Sequence, residues 1–127
     1  MTELKRRAMT VFVWVVTVIE TLLMCLAGAG KFAGDHWPKL FEGWGYPLWF
    51  MYAIGTAEIL GALLLLAPRL ASWAAGGLAI IMMGAIITQI RQPAPGGWTA
   101  AAVHLALVIV IGVARWPVRL RPGSVRA

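Results

Sequence analysis

The sequence predicts an all-α fold, a polytopic membrane four-helix bundle running up-down-up-down with both termini cytoplasmic. Three observations predict it. Hydrophobic residues make up 61% of the 127 residues and mean hydropathy is +0.81, more apolar surface than a water-soluble chain of this size can hide. The apolar residues gather into four runs, at about 8–32, 47–66, 70–90 and 98–116. Each run is long enough to cross a hydrocarbon core of ~30 Å at 1.5 Å per residue. Basic residues stand at the ends of these runs. Lys5, Arg6, Arg7, Arg69, Arg115, Arg119, Arg121 and Arg126 fall on the side of the termini, and Lys31, Lys39 and Arg91 on the other. The excess of positive charge near the termini assigns them to the cytoplasm and the chain to the inner membrane.

The chain reads as a single membrane domain, 1–127. Met1 to Arg7 is a short basic start. The first run follows it. A basic start before an apolar core could be a signal peptide, with Ala27-Gly28-Ala29 as its cleavage site. The run exceeds a usual signal core and carries Glu20 in its middle, so a retained span is the better reading. Residues 33–46 hold Asp35, His36, Trp37, Pro38, Lys39, Glu42 and Trp44. Glycine, proline and charge break a helix there, and the aromatic rings suit a headgroup layer. This predicts an interfacial loop with a helical turn at Trp37 to Trp44. Pro47 suits the first position of the second run, where a missing N–H costs nothing. Ala67-Pro68-Arg69 is a tight turn, which makes the second and third runs antiparallel neighbours. Arg91 to Gly97 is dense in breakers, and Pro117 opens a basic tail.

Charge and cysteine content narrow the partners. The chain has 11 basic and 5 acidic residues. The basic ones form no patch, so anionic lipid headgroups are the partner and nucleic acid is not. Cys25 is the only cysteine, which excludes an intrachain disulfide and a C-x-x-C redox pair. It reads as a small buried hydrophobe.

Two of the five acids, Glu20 and Glu58, lie inside apolar runs. A carboxylate in hydrocarbon costs a few kcal/mol or more unless it is protonated, paired or wetted, so such groups are kept for a task. Gly55, Glu58 and Ala62 share a helix face with Gly61 beside it, which turns Glu58 inward. Thr17, Glu20, Met24, Ala27 and Lys31 line up on the first helix. Gly77, Gly84 and Thr88 make a stripe on the third, next to Gln89, and Ala100, Ala101 and His104 gather on the fourth. Counting residues from the outer ends puts Glu20 and Glu58 at ~16 Å depth and His104 at ~9 Å. Glu58 is read as an acid–base or ligand-binding group ahead of a packing hydrogen bond. For Glu20 both readings stand, with Gln89 as one hydrogen-bond partner. His104 is read first as a structural, hydrogen-bonded histidine. Lys31 is read as a residue snorkelling from a helix end, or as the counter-ion of a headgroup or of Asp35. His36 is read as solvated, and the tryptophans first as interface anchors, with Trp37, Trp44 and Trp98 the candidates for a flat aromatic ligand site. No metal site is expected, because no pair among His36, His104, Glu20 and Glu58 has helical ligand spacing.

In chain order, Ala27-Gly28-Ala29-Gly30-Lys31-Phe32, Phe41-Glu42-Gly43-Trp44-Gly45-Tyr46-Pro47, Gly55-Thr56-Ala57-Glu58-Ile59-Leu60-Gly61, Leu64-Leu65-Leu66-Ala67-Pro68-Arg69 and Ile81-Met82-Met83-Gly84-Ala85 with Thr88 resemble the DoxX-like family of small four-helix membrane proteins. The likeness covers roughly residues 15 to 90 and weakens in the last helix. Its Gly-x-x-Lys and Glu-x-x-Gly elements fall on Gly28 with Lys31 and on Glu58 with Gly61. Glu20 and His104 match no position of the pattern. The resemblance implies membrane redox complexes in some relatives, one of them linked to a thiosulfate:quinone oxidoreductase, and chaperone or cargo roles in others.

The functional expectation is a bundle that binds a lipophilic small molecule, quinone-like or lipid-like, as accessory to a membrane oxidoreductase. Glu58 meets the polar end, and Glu20, Gln89, Thr88, His104, Lys31, Trp44 and Trp98 complete the site. Quinone is the one cofactor suggested. One alternative is an acid–base isomerase or cyclase in which Glu20 and Glu58 share a proton. Another is a membrane-protein assembly factor or chaperone whose small-residue faces bind a partner protein or a second copy.

Overall fold

The computed structural model describes residues 2–120, with side chains to residue 116. It holds five helices and no strand among the described residues: α1 (Glu3–Gly30), α2 (His36–Gly43), α3 (Leu48–Leu64), α4 (Ala71–Arg91) and α5 (Thr99–Leu120). Three of them, α1, α4 and α5, are long and apolar enough to cross a membrane.

Several boundaries differ from the sequence reading, each for a local reason. The helix α1 starts at Glu3, because Thr2 caps it by accepting from the Lys5 N–H at 3.2 Å and Lys and Arg are good helix formers. The basic start is therefore helical. Residues 33–46 contain a full helix of 8 residues, α2. Pro38 is tolerated in its first turn, where no helical N–H bond is lost. Pro47 is the extended N-cap of α3, and Leu48 is the first helical residue. At the other end Leu65 caps, so α3 has 17 residues and is shorter than the apolar run that contains it. The backbone of α5 stays helical past Pro117 to Leu120. Arg121, Pro122 and Arg126 lie outside the described residues.

The helices touch in the pairs α1·α3, α3·α4, α4·α5 and α1·α5, with α2 lying on α3. The α1–α3 contact is a close one. A Cβ at Gly28 would stand 2.8 Å from the Gly55 carbonyl oxygen, so only glycine lets the backbones meet there. Lower on the same seam, Thr21 Oγ1 donates to the Ala62 carbonyl at 3.1 Å. Ser72 Oγ likewise donates from α4 to the Gly112 carbonyl on α5 at 3.0 Å. On α4 the buried face is Ala71, Ser72, Ala74, Ala75, Leu78 and Met82. Gly77 is exposed with open space before it, so the expected Gly77 stripe is not a helix contact.

The interior is uneven. Met24, Ala62, Leu65, Leu78, Val108 and Ile111 pack an apolar core. Beyond it, the last turns of α1 and α4 and the first turns of α3 and α5 surround open space that α2 and the 92–98 connection border. The outer surface is apolar: Phe12, Leu22, Leu60, Ile80, Ile87 and Val113 are all exposed. A surface of that kind suits lipid or another protein and does not suit water.

Candidate functional site

The space between these helix ends is a cavity of about 510 Å³, within the usual range for small-molecule sites. Its walls are mostly aliphatic and aromatic. Phe41, buried on α2, is the hub of the aromatic part. Its ring lies 5.3 Å from Trp44, 5.9 Å from Tyr46, 6.2 Å from Trp37 and 6.4 Å from Phe50, centroid to centroid. These tilted and edge-on arrangements are the ones aromatic quadrupoles favour. Tyr46 Oη and Thr88 Oγ1 are hydrogen-bonded at 2.9 Å, which ties the α2–α3 connection to α4. Gln92 Nε2 donates to the Trp44 carbonyl at 3.2 Å and ties the end of α4 to the end of α2.

Two pairs of ionisable side chains stand at this cavity. The first is Lys31 with Glu58. Lys31 Nζ lies 2.7 Å from Glu58 Oε1, and the two residues are 5% and 3% exposed. The local geometry that brings them together is simple. Gly28 and Gly55 mark the α1–α3 crossing, and each charged residue sits three positions further along its own helix. Side chains lean toward the N-terminus of their helix. Both therefore reach back toward the crossing, one from each side, and meet. Lys31 does not snorkel outward, and Asp35 pairs with Lys39 instead, at 2.9 Å and well exposed. The ammonium has further company: the Ala27 carbonyl at 3.5 Å and the face of the Trp37 ring at 4.2 Å from its centroid. A buried ion pair needs such extra partners to offset its desolvation.

The second pair is Glu20 with His104. His104 Nδ1 lies 2.6 Å from Glu20 Oε1, and Glu20 is 0% exposed. A carboxylate only accepts, so Nδ1 is the donor and Nε2 is the nitrogen left over. His104 lines the cavity and Glu20 does not. Glu20 Oε2 is buried without a protein partner.

Of the residues expected from sequence, Lys31, Trp44, Glu58, Thr88, Gln89 and His104 line the cavity. Trp37 and His36 line it as well, with His36 exposed at its edge. Trp98 is exposed and outside the lining. Glu20 stands behind His104, not against Gln89. Glu20 and Glu58 each have a basic partner of their own. Phe41, Tyr46 and Phe50 were not expected as a unit. The aromatic spacing across residues 37–50 carried that signal, had α2 been read as a helix that folds back. Cys25 is free and packs against the apolar core. Among the described residues no three His, Cys, Asp or Glu side chains come together as a metal site would need.

A family model described as the DoxX-like family matches residues 15–111. The chain belongs to the DoxX-like family. No curated protein and no solved structure matches it. The matched span takes in both cavity pairs, from Glu20 to His104. Family membership, together with three apolar helices of spanning length, makes this DoxX-like protein a multi-pass membrane protein in a lipid bilayer.

Proposed function

We propose that this DoxX-like protein binds a lipophilic small molecule, quinone-like or lipid-like, in the cavity, with the polar end of the molecule at Lys31 and Glu58. The observation that carries this reading is a buried ion pair on the wall of an otherwise aromatic and aliphatic cavity of about 510 Å³. Charged groups in such surroundings are kept for recognition or chemistry. Trp44, Thr88, Gln89 and His104 complete the polar and aromatic contacts. The protein acts as accessory to a membrane oxidoreductase, which would exchange the ligand with it through the apolar surface.

The chain is one membrane domain in this reading, and α3 is a fourth span. Its 17 residues cover ~26 Å, and the turns at each end extend it. Contacts such as Thr21 with Ala62, Gly28 with Gly55, and Ser72 with Gly112 support an up-down-up-down bundle. The excess of basic residues near the termini supports cytoplasmic ends in an inner membrane.

The isomerase or cyclase alternative requires Glu20 and Glu58 to share a proton. The separate pairing of each with Lys31 or His104 weighs against it. The test is organic extraction of protein purified from native membranes in mild detergent, followed by mass spectrometry, beside Glu58→Gln and Lys31→Met. A stoichiometric lipophilic compound in the wild type, depleted in both variants, is expected. Bulk phospholipid alone in all three samples overturns the reading.

A further inference from the structure

The Lys31–Glu58 pair explains how a polar end is held. It leaves Glu20, and what its contact does for His104, unexplained, and the two form a second polar constellation of the interior. We infer that Glu20 and His104 are a proton-accepting dyad for a ring hydroxyl of the ligand, so that the cavity takes a lipophilic phenol or hydroquinone. The inference rests on the ligand-binding reading above and names the ligand class for it.

The geometry assigns the roles. Glu20 is fully buried and touches His104 Nδ1 at 2.6 Å, which fixes the ring and its tautomer. Because Glu20 lies outside the cavity lining and His104 within it, Nε2 is the nitrogen available to a ligand. A hydroxyl there gives its proton to Nε2. The O–H bond breaks, an N–H bond forms, and the electron pair stays on the ligand oxygen. The imidazolium that results is held by the Glu20 carboxylate, whose second oxygen, Oε2, is otherwise without a protein partner. The oxyanion shares the cavity with the Lys31 ammonium. An aliphatic alcohol is too weak an acid for this exchange, whereas a ring hydroxyl is suited to it. The Trp37, Phe41 and Trp44 rings supply flat walls for the arene.

The charged and titratable groups around His104 are few. From α1 come Glu20 and Lys31, and from α3 comes Glu58. His36 of α2 and Tyr46 border the same cavity, and α4 offers it Thr88 and Gln89, which do not titrate. Glu20 is the positioning residue, and His104 is the group that meets the ligand.

The probe is an alkylated 4-nitrophenol, whose phenol and phenolate forms have separate absorption bands, added to the full-length protein in detergent micelles. Binding is followed by quenching of tryptophan fluorescence, and the methyl ether of the same compound serves as a ligand with no proton to give. In the wild type the bound phenol ionises at least tenfold more readily than in protein-free micelles. His104→Gln and Glu20→Gln lose that gain, while Glu20→Gln binds the methyl ether as the wild type does. If the wild-type complex ionises as in empty micelles, the inference is overturned while ligand binding stands. The same holds if the gain survives in both variants, since Lys31 would then suffice. If neither compound quenches, the ligand-binding reading fails and the inference falls with it.

Discussion

Removing the ammonium of the buried ion pair is the sharpest perturbation available. In Lys31→Met the side chain keeps its length and apolar stem, but Glu58, 3% exposed, loses its counter-charge. Breaking a buried pair from one side costs about 3–5 kcal/mol. An upper bound comes from the escape route: at pH 7, giving an ordinary carboxyl a proton costs roughly 3.7 kcal/mol. Both point to about 3–4 kcal/mol, or between two and three orders of magnitude in the folding equilibrium. For a chain of this size that corresponds to a fall in Tm of roughly 10 °C. The deficit should shrink as pH falls, because a variant that binds a proton only when folded gains stability with acidity. Replacing both partners, in Lys31→Met with Glu58→Leu, should recover most of the loss, since two apolar groups need no compensation. The assay is thermal unfolding in one detergent at several pH values, read as a double-mutant cycle. A coupling below about 0.5 kcal/mol, or a single variant as stable as the wild type, would refute the claim that the two charges depend on each other.

The other interior contacts make smaller predictions. Gly28→Val forces a Cβ to 2.8 Å from the Gly55 carbonyl and should cost about 1–3 kcal/mol in the same unfolding assay. Gly76→Ala, which meets open space on α4, should be neutral or gain up to about 1 kcal/mol. His104→Leu strips Glu20 of its protein partner and should cost roughly 3 kcal/mol, with Glu20→Leu restoring much of it. Thr88→Val removes the Tyr46 hydrogen bond at 2.9 Å and should cost about 1 kcal/mol. It should also loosen the segment after α2, seen as faster amide exchange near Trp44 to Tyr46.

How much of this could be read from the sequence depends on the range of the signal. The long apolar helices were legible because hydropathy is local and bilayer thickness sets their length. Glu58 facing inward was legible too, since Gly55 and Ala62 share its face. The α1 start was misplaced because hydropathy marks where a helix becomes apolar, whereas Thr2 and the basic residues decide where it becomes helical. The helix α2 was underestimated because Pro38 and the flanking glycines read as breakers. Gly34 and Gly45 adopt left-handed φ of 71° and 84° just outside it, so they end the neighbouring segments and leave the helix itself intact. Lys31 was misread because its partner lies 27 positions away. The clue was the repeated spacing, Gly28 to Lys31 and Gly55 to Glu58, whose meaning depends on the two glycines facing each other. The Glu20–His104 contact spans 84 positions and had no local signature.

The most direct test of a lipophilic ligand in this cavity is native mass spectrometry of the intact protein, released from membranes and compared with Gly84→Phe. Gly84 lines the cavity, and a Cβ there meets nothing within 4 Å, so the added ring fills the space while the Lys31–Glu58 pair stays whole. The expected result is a bound small-molecule mass on the wild type that is missing from a folded Gly84→Phe variant. The same adduct on both proteins, or no adduct on the wild type under conditions that preserve bound lipid, would contradict a ligand site between these helices.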